Sequence, residues 1–493
     1  MNLSKSRYCR GLQCKKMLWL EKNKPEVMSE VNNDSIMEQG NVVHEVARYL
    51  FGEHVNIEYT DNLSEMIKDT YTTIESYKDV IITEASFNYE NNFCSVDILK
   101  KKNDNYEIYE VKSSTELKDV YINDASYQYY VLTNLGFRVT KCYIVVINSS
   151  YERHGNIELD KLFIKNDITS DVIDLQDTVK SKTREINKYM EYESEQVEEI
   201  DEKCFRPYAC PFFEYCSREL EHPNVFDITV TPGLTGLKFY KMGVYSFRDM
   251  LNVKISNKQR QRIEFELYDK PDYIDKDGIK EFLDTLSYPL YFLDFETYQM
   301  PIPLYDKVKP YEQIPFQYSL HYINSEGGKL EHKEFLAEAG SDSRRELALQ
   351  LVKDIPLNVC TLAYNMSFEK NVIKRLASIY PDLHDHLMNI HDNIKDLEVP
   401  FSKRYYYTKA MKSSSSIKYV LPALFPNDPE LDYHNLDLIH NGSEAMSSFR
   451  NMENMTDKEI AYTRERLLKY CYLDTYAMVK ILEKLKEVVY ETK

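Results

Sequence analysis

A chain of 493 residues with a formal charge of −18 is too long for one hydrophobic core and too acidic to coat itself with positive potential. Two large domains are expected, and any contact with a polyanion has to come from local basic patches. No stretch reaches the run of about 20 apolar residues that a bilayer crossing needs. The opening MNLSKSRYCRGLQCKKMLWL also lacks the apolar segment of a signal peptide, so a soluble, cytoplasmic protein with no membrane partner is expected.

Residues 1–220 read as one mixed α/β unit. A helix is expected around Asn41–Phe51, with strands at Val80–Tyr89, Ser95–Lys100 and Tyr106–Val111. A helix at Ala125–Leu135, a strand at Lys141–Ile147 and a helix from Thr178 to Glu202 follow, the last ending in EYESEQVEEIDEK, which reads as a solvated face. Residues 221–284 read as a small helical connector. Between 225 and 270 it carries eight Lys/Arg against five Asp/Glu, reversing the sign of the chain average. Within it, LTGLKFYKMGVYSFRDMLN has the rhythm of helix, turn at Gly243, helix. It resembles a degenerate helix-hairpin-helix without the Gly-x-Gly hairpin, and a plain helical linker is the competing reading.

Residues 285–493 form the second large unit. Tyr291–Phe295 is a short apolar strand ending in acids, Asn365–Tyr380 reads as a helix, and Thr456–Glu491 as a long amphipathic helix opened by a Thr456/Glu459 capping box. HDHLMNIHD, with His384, His386, His391 and Asp392, reads as a polar loop rather than a metal site.

The first chemical constellation is the ordered string Gly40–His44, Glu84, Asp97, Glu110-Val-Lys112 and Gln128. Alternating strand residues share a face, so adjacent strands carrying Asp97 and Glu-x-Lys bring two carboxylates and an ammonium together. Such a set can hold Mg²⁺ or Mn²⁺ through oxygen, with the lysine helping to position water and His44 completing the shell. The string resembles the RecB-like PD-(D/E)xK nucleases, including the CRISPR-associated RecB-like exonucleases. That resemblance implies a restriction-endonuclease-like fold, with His44, Asp97 and Glu110 as metal ligands and Lys112 as the catalytic lysine. Gln128, with Tyr129 or Tyr130, would support the site, although Leu132 stands where the family's Gln-x3-Tyr motif ends.

The same resemblance implies that Cys14 and the run Cys204-x5-Cys210-x5-Cys216 ligate a [4Fe–4S] cluster, clamping the two ends of the domain together. The even spacing departs from Cys-x2-Cys knuckles and favours iron–sulfur over Zn²⁺, which takes the same four ligands. Cys9 is close enough to Cys14 to substitute. Cys94, Cys142, Cys360 and Cys471 sit in apolar contexts and read as ordinary core residues.

In the second constellation YFLDFET sets Asp294 and Glu296 on one face of a strand, YCYLDTYAM sets Tyr470 and Asp474 one turn apart on a helix, and AYNMSFEKN does the same for Asn365 and Glu369. The order resembles the DEDD 3′–5′ exonucleases with their RNase H-like fold. It implies that Asp294, Glu296, Glu369 and Asp474 bind two Mg²⁺ or Mn²⁺ ions and that Tyr470 orients the water. Glu369 stands where the family has Asp, and Asp396 in IKDLEVP is an alternative source of that acid. Pro400–Asn427 has five Lys/Arg and no acid. There Lys403, Arg404, Tyr406, Lys409 and Lys412 fit a groove that tracks phosphates and stacks bases, against the plainer reading of a tyrosine-rich core strand flanked by solvated lysines.

Taken together, the two blocks resemble a bacterial family that fuses a RecB-like domain to an RNase H-like domain. The expected protein is a metal-dependent nuclease acting on DNA or RNA, exonucleolytic on single strands. The alternative is a nucleic-acid-binding scaffold with one or both sites inactive.

Overall fold

The computed structural model describes residues 3–29 and 34–490. Its contacts separate two compact α/β units: Met1–Glu219 with Met300–Glu312, and Leu220–Gln299 with Gln313–Lys493. The helices of residues 225–283 therefore count with the second unit. Among the described residues no helix is long and apolar enough to cross a membrane.

In the first unit β1 (Leu3–Ser4), β2 (Val55–Asn56), β3 (Asp79–Tyr89), β4 (Asn92–Lys102), β5 (Asn105–Val111), β6 (Arg138–Ile147) and β7 (Phe163–Asp167) form one sheet. Its order is β2-β3-β4-β5-β6-β7, with β1 parallel to β4. β3, β4 and β5 are an antiparallel meander, its turns made by Glu90, Asn91 and Asn103 in the left-handed region that Asn adopts most easily among such residues. β5 and β6 are parallel, and the crossover such a pair requires is the helix Asp119–Asn134. Alternation along β5 decides what each residue meets: Tyr106 and Ile108 join the cluster holding Ala125, Tyr127 and Val131 of that helix, whereas Tyr109 and Val111 pack with Val43 and Ala47 of the helix Asp34–Ala47 on the other face.

The helix expected to reach Glu202 spans Gln176–Tyr189 and stops, as like charges one turn apart in EYESEQVEEIDEK disfavour its continuation. Glu195 in that run is not a solvated-face residue either, because it accepts from Lys16 and Lys24 at 2.8 and 2.7 Å and from the Tyr215 hydroxyl at 2.7 Å.

In the second unit β9 (Leu290–Tyr298), β10 (Ile314–Ile323), β11 (Leu330–Leu336), β12 (Cys360–Ala363) and β13 (Ile394–Asp396) form a sheet of order β11-β10-β9-β12-β13, while β8 (Tyr273–Ile274) pairs with β14 (Tyr406–Tyr407). β9, β10 and β11 are antiparallel, and β12 and β13 run parallel to β9. Tyr291, Leu293 and Phe295 face a core made with the helices Arg344–Asp354, Ser367–Ile379 and His384–Asp392. The intervening Leu290 and Phe292 face Ala477, Met478 and Ile481 of the helix Asp457–Tyr490. That helix opens on the expected capping box, with Thr456 N–H donating to Glu459 Oε2 at 2.8 Å; Glu491 lies outside the described residues. HDHLMNIHD is a helix rather than a loop, because Leu387 and Ile390, three residues apart, are buried against the sheet.

Candidate metal centres

The seam between β9 and the C-terminal helix runs from apolar to acidic. On β9 the face of Leu290 and Phe292 continues as Asp294 and Glu296, and on the helix the stripe of Ile481, Met478 and Ala477 continues back to Asp474 and Tyr470. Ligand atoms of Asp294, Glu296 and Asp474 consequently lie within 4.8 Å of one another. They line a cleft of about 920 Å³ together with Glu369, Asn365 and Tyr470. Glu369 reaches it from the first turn of the Ser367–Ile379 helix. Asp396 does not line the cleft; its carboxylate accepts from the backbone N–H groups of Asn365, Met366 and Glu398 at 3.0, 3.3 and 2.9 Å. It secures the turn that launches the helix, at which Asn365 has a φ of +62°.

Among the described residues none of these four carboxylates has an ion-pair partner within 4 Å, and Asp474 Oδ2 and Glu369 Oε2 are buried without a hydrogen bond. Burial raises every one of them, and mutual repulsion adds to it for Asp294 and Glu296: both go well above the carboxylate range, Asp474 rises to about 7 and Glu369 to about 8. Hard oxygen donors packed this closely, with two oxygens lacking any partner, suit a divalent cation.

In the first unit the register Ile98↔Tyr109 carries Asp97 and Glu110 to facing positions, and Thr83↔Ile98 with Ala85↔Val96 does so for Glu84 and Asp97. Glu110 shares the face of Ile108 and so meets the crossover helix. Its Oε1 accepts from Lys112 at 2.6 Å and Lys5 at 2.8 Å, and its Oε2 from Gln128 at 2.5 Å. Burial alone would raise Glu110, but Lys112 and Lys5 outweigh it and hold the carboxyl well below its usual range. Lys112 also pairs with Asp124, which burial raises to about 6. His44 comes from the opposite face. Its Nδ1 is 3.8 Å from Asp97 Oδ1, and His44, Glu84 and Asp97 offer ligand atoms within 4.8 Å of one another. The sequence set is thus brought together in two parts, His44 and Asp97 with Glu84, and Glu110 with Lys112 and Gln128. Lys5, which was not anticipated, lies between them at 3.7 Å from Asp97.

Cys14, Cys204, Cys210 and Cys216 line one small cavity, with Met17, Leu20 and Phe212 around it. Cys14 stands between the helices Lys5–Gln13 and Lys15–Asn23, and Gln13 Nε2 ties this corner down by donating to the carbonyls of Lys203 and Tyr208, each at 2.7 Å. Burial raises Cys204, Cys210 and Cys216, Cys210 to about 12, so the cavity favours thiols over thiolates. Cys94, Cys142, Cys360 and Cys471 are buried in the cores.

Of the two readings of Pro400–Asn427, the core strand describes Tyr406 and the base-stacking groove does not. Tyr406 is 4 % exposed, in β14, and packs on Phe401 in the core, where no base can reach its face. Lys409 is paired with Glu266 and Asp269 at 3.6 and 3.3 Å, and the Arg404 guanidinium stacks 4.1 Å above the Tyr407 ring. Lys403 and Lys412 are exposed but do not line the cleft. Of the charged residues in this stretch Lys418 lines the cleft, joined by Tyr433, His434 and His440 from a segment whose sequence, DPELDYHNLDLIHN, carries no motif by which they could have been found.

A family described as "Domain of unknown function (DUF2779)" matches residues 291–416. The match holds Asp294, Glu296 and Glu369 and ends before Tyr470 and Asp474. No curated protein and no solved structure matches the chain.

Proposed function

We propose that the protein is a metal-dependent nuclease whose second unit hydrolyses phosphodiesters, releasing nucleotides from single-stranded DNA or RNA. The observation carrying this reading is the convergence of Asp294, Glu296 and Asp474, from motifs nearly 180 positions apart, in a cleft that also holds Glu369 and Tyr470. These carboxylates would hold Mg²⁺ or Mn²⁺, which when bound acidifies water and offsets charge on the phosphoryl oxygens. The Tyr470 hydroxyl, raised by burial and then by the surrounding carboxylates, stays protonated and serves as a donor that orients water or phosphate. Lys418 is the lysine that lines the cleft, in a chain whose overall charge repels nucleic acid. Lys418→Ala should therefore raise KM for an oligonucleotide about tenfold at low salt, with kcat nearly unchanged and a shallower salt dependence. A fall in kcat at constant KM would reject that role. The test of the whole reading is release of end label from single- and double-stranded DNA and RNA with Mn²⁺ or Mg²⁺, lost on chelation and in Asp294→Ala and Asp474→Ala.

For the first unit we propose a RecB-like nuclease site built on His44, Asp97, Glu110 and Lys112, with the four cysteines holding a [4Fe–4S] cluster, or Zn²⁺ as the alternative. The cluster would join the two ends of the unit at the corner fixed by Gln13. Protein purified without oxygen should be brown and contain about four iron atoms per chain, the number in one such cluster. A colourless preparation with one zinc per chain would replace that assignment. One observation favours a second reading, a scaffold whose first site is inactive: both oxygens of Glu110 are engaged by Lys5, Lys112 and Gln128. A product lost in Lys112→Ala and retained in Asp294→Ala decides between them.

A further inference from the structure

We infer that Tyr433 is a positioning residue for Asp474, fixing that carboxylate for a divalent cation from the wall of the cleft. The inference rests on the nuclease reading of the second unit, and Tyr433 belongs to none of the motifs that led to it. Its hydroxyl donates to Asp474 Oδ1 at 2.6 Å across 41 positions of sequence, while Asp474 Oδ2 is buried without a partner. A carboxylate that ends a side chain turns freely about its last bond. Occupying one oxygen with a neutral donor stops that rotation and leaves the other oxygen with its lone pairs free for a cation, the way outer partners orient metal ligands.

The phenol is itself well held. Tyr433 opens a short turn, Tyr433–Asn435, whose preceding Asp432 carboxylate accepts from the His434 N–H at 2.9 Å. Its ring packs against the apolar cluster of the unit and lies 6.0 Å from the Tyr470 ring. The two tyrosines thus have separate duties. Tyr470 shares a helix with Asp474 and faces the cleft, whereas Tyr433 reaches the ligand from a different segment, so the geometry at Asp474 depends on how that segment is seated.

Tyr433→Phe keeps the ring and removes the donor. In the full chain, Mn²⁺ bound at the second unit is defined as the Mn²⁺ lost in Asp294→Asn. Tyr433→Phe should bind that Mn²⁺ about tenfold more weakly, in the range seen when partners of metal ligands are removed. At low Mn²⁺ kcat should fall by a similar factor and recover at high Mn²⁺, with KM for a single-stranded oligonucleotide unchanged. Tyr433→Leu, which also removes the ring, separates hydroxyl from packing. Equal weakening in Phe and Leu assigns the effect to the hydrogen bond, whereas weakening in Leu alone overturns the proposal, as does an altered KM with unchanged Mn²⁺ affinity in Phe. If Asp294→Asn removes no Mn²⁺ from the wild-type sequence, the nuclease reading of this unit fails first, a result distinct from Tyr433→Phe behaving like wild type while Asp294→Asn does not.

Discussion

Asp294→Asn should abolish nucleotide release by the second unit, by about a thousandfold or more, and at the same time make the metal-free protein more stable. The first effect follows from losing a ligand whose cation supplies several kcal/mol of transition-state stabilisation. The second follows from the electrostatics of the seam, where four carboxylates face one cleft with no ion-pair partner among the described residues and repel. These acids have folded-state pKa values raised above their unfolded values near 4, Asp474 to about 7 and Glu369 to about 8. Between those limits the folded state binds more protons than the unfolded one, so metal-free stability falls as pH rises from about 4 through 8. Melting in chelator at pH 5.5 and 8.5 should show the second unit less stable at the higher pH, a slope that Asp294→Asn reduces and saturating Mn²⁺ reverses. A substitution that destabilises the chain at pH 8.5 without metal would show that Asp294 is held by partners rather than strained by neighbours.

Glu110→Ala should do the opposite to the first unit. Glu110 is fully buried and its two oxygens are engaged by Lys5, Lys112 and Gln128, so truncation leaves two ammonium groups close together with their shared counter-charge gone. Removing one partner of a buried ion pair costs about 3–5 kcal/mol, which for a unit of this size lowers its melting midpoint by roughly ten degrees. Because its pKa is depressed, Glu110 contributes stability above its unfolded value near 4, lost as pH falls below that. Glu110→Ala and wild type should therefore converge in stability at low pH and differ most near neutrality. Differential scanning calorimetry with the second unit as internal reference reads this directly. An unchanged first-unit transition at pH 7 would mean that Asp124 and Asp97, which also face these lysines, suffice to neutralise them.

Sequence alone determined the mixed α/β class and the strands and helices that carry the acids, because strand and helix periodicities decide which residues share a face. Asp294 with Glu296, Glu110 with Lys112, and Tyr470 with Asp474 are each legible from spacings of two or four. Periodicity is local, however, and stops at the end of each element. It could not say that Glu84, opposite Asp97 in a neighbouring strand, joins His44, while Glu110, opposite Asp97 in the strand on its other side, is taken up by Lys5, Lys112 and Gln128. Nor could composition tell that the basic, tyrosine-rich stretch after Pro400 turns Tyr406 into the core and spends Lys409 on Glu266 and Asp269. Tyr433 and Lys418 are parts of the cleft only because the chain folds back over the β9 seam, and a hydrogen bond across 41 residues leaves no periodic trace. What each side chain can do was set by residue type and spacing. Which charges are neutralised and which are left facing one another was decided by packing, since in a low-dielectric interior a partner a few ångströms away outweighs anything a residue's sequence neighbours supply.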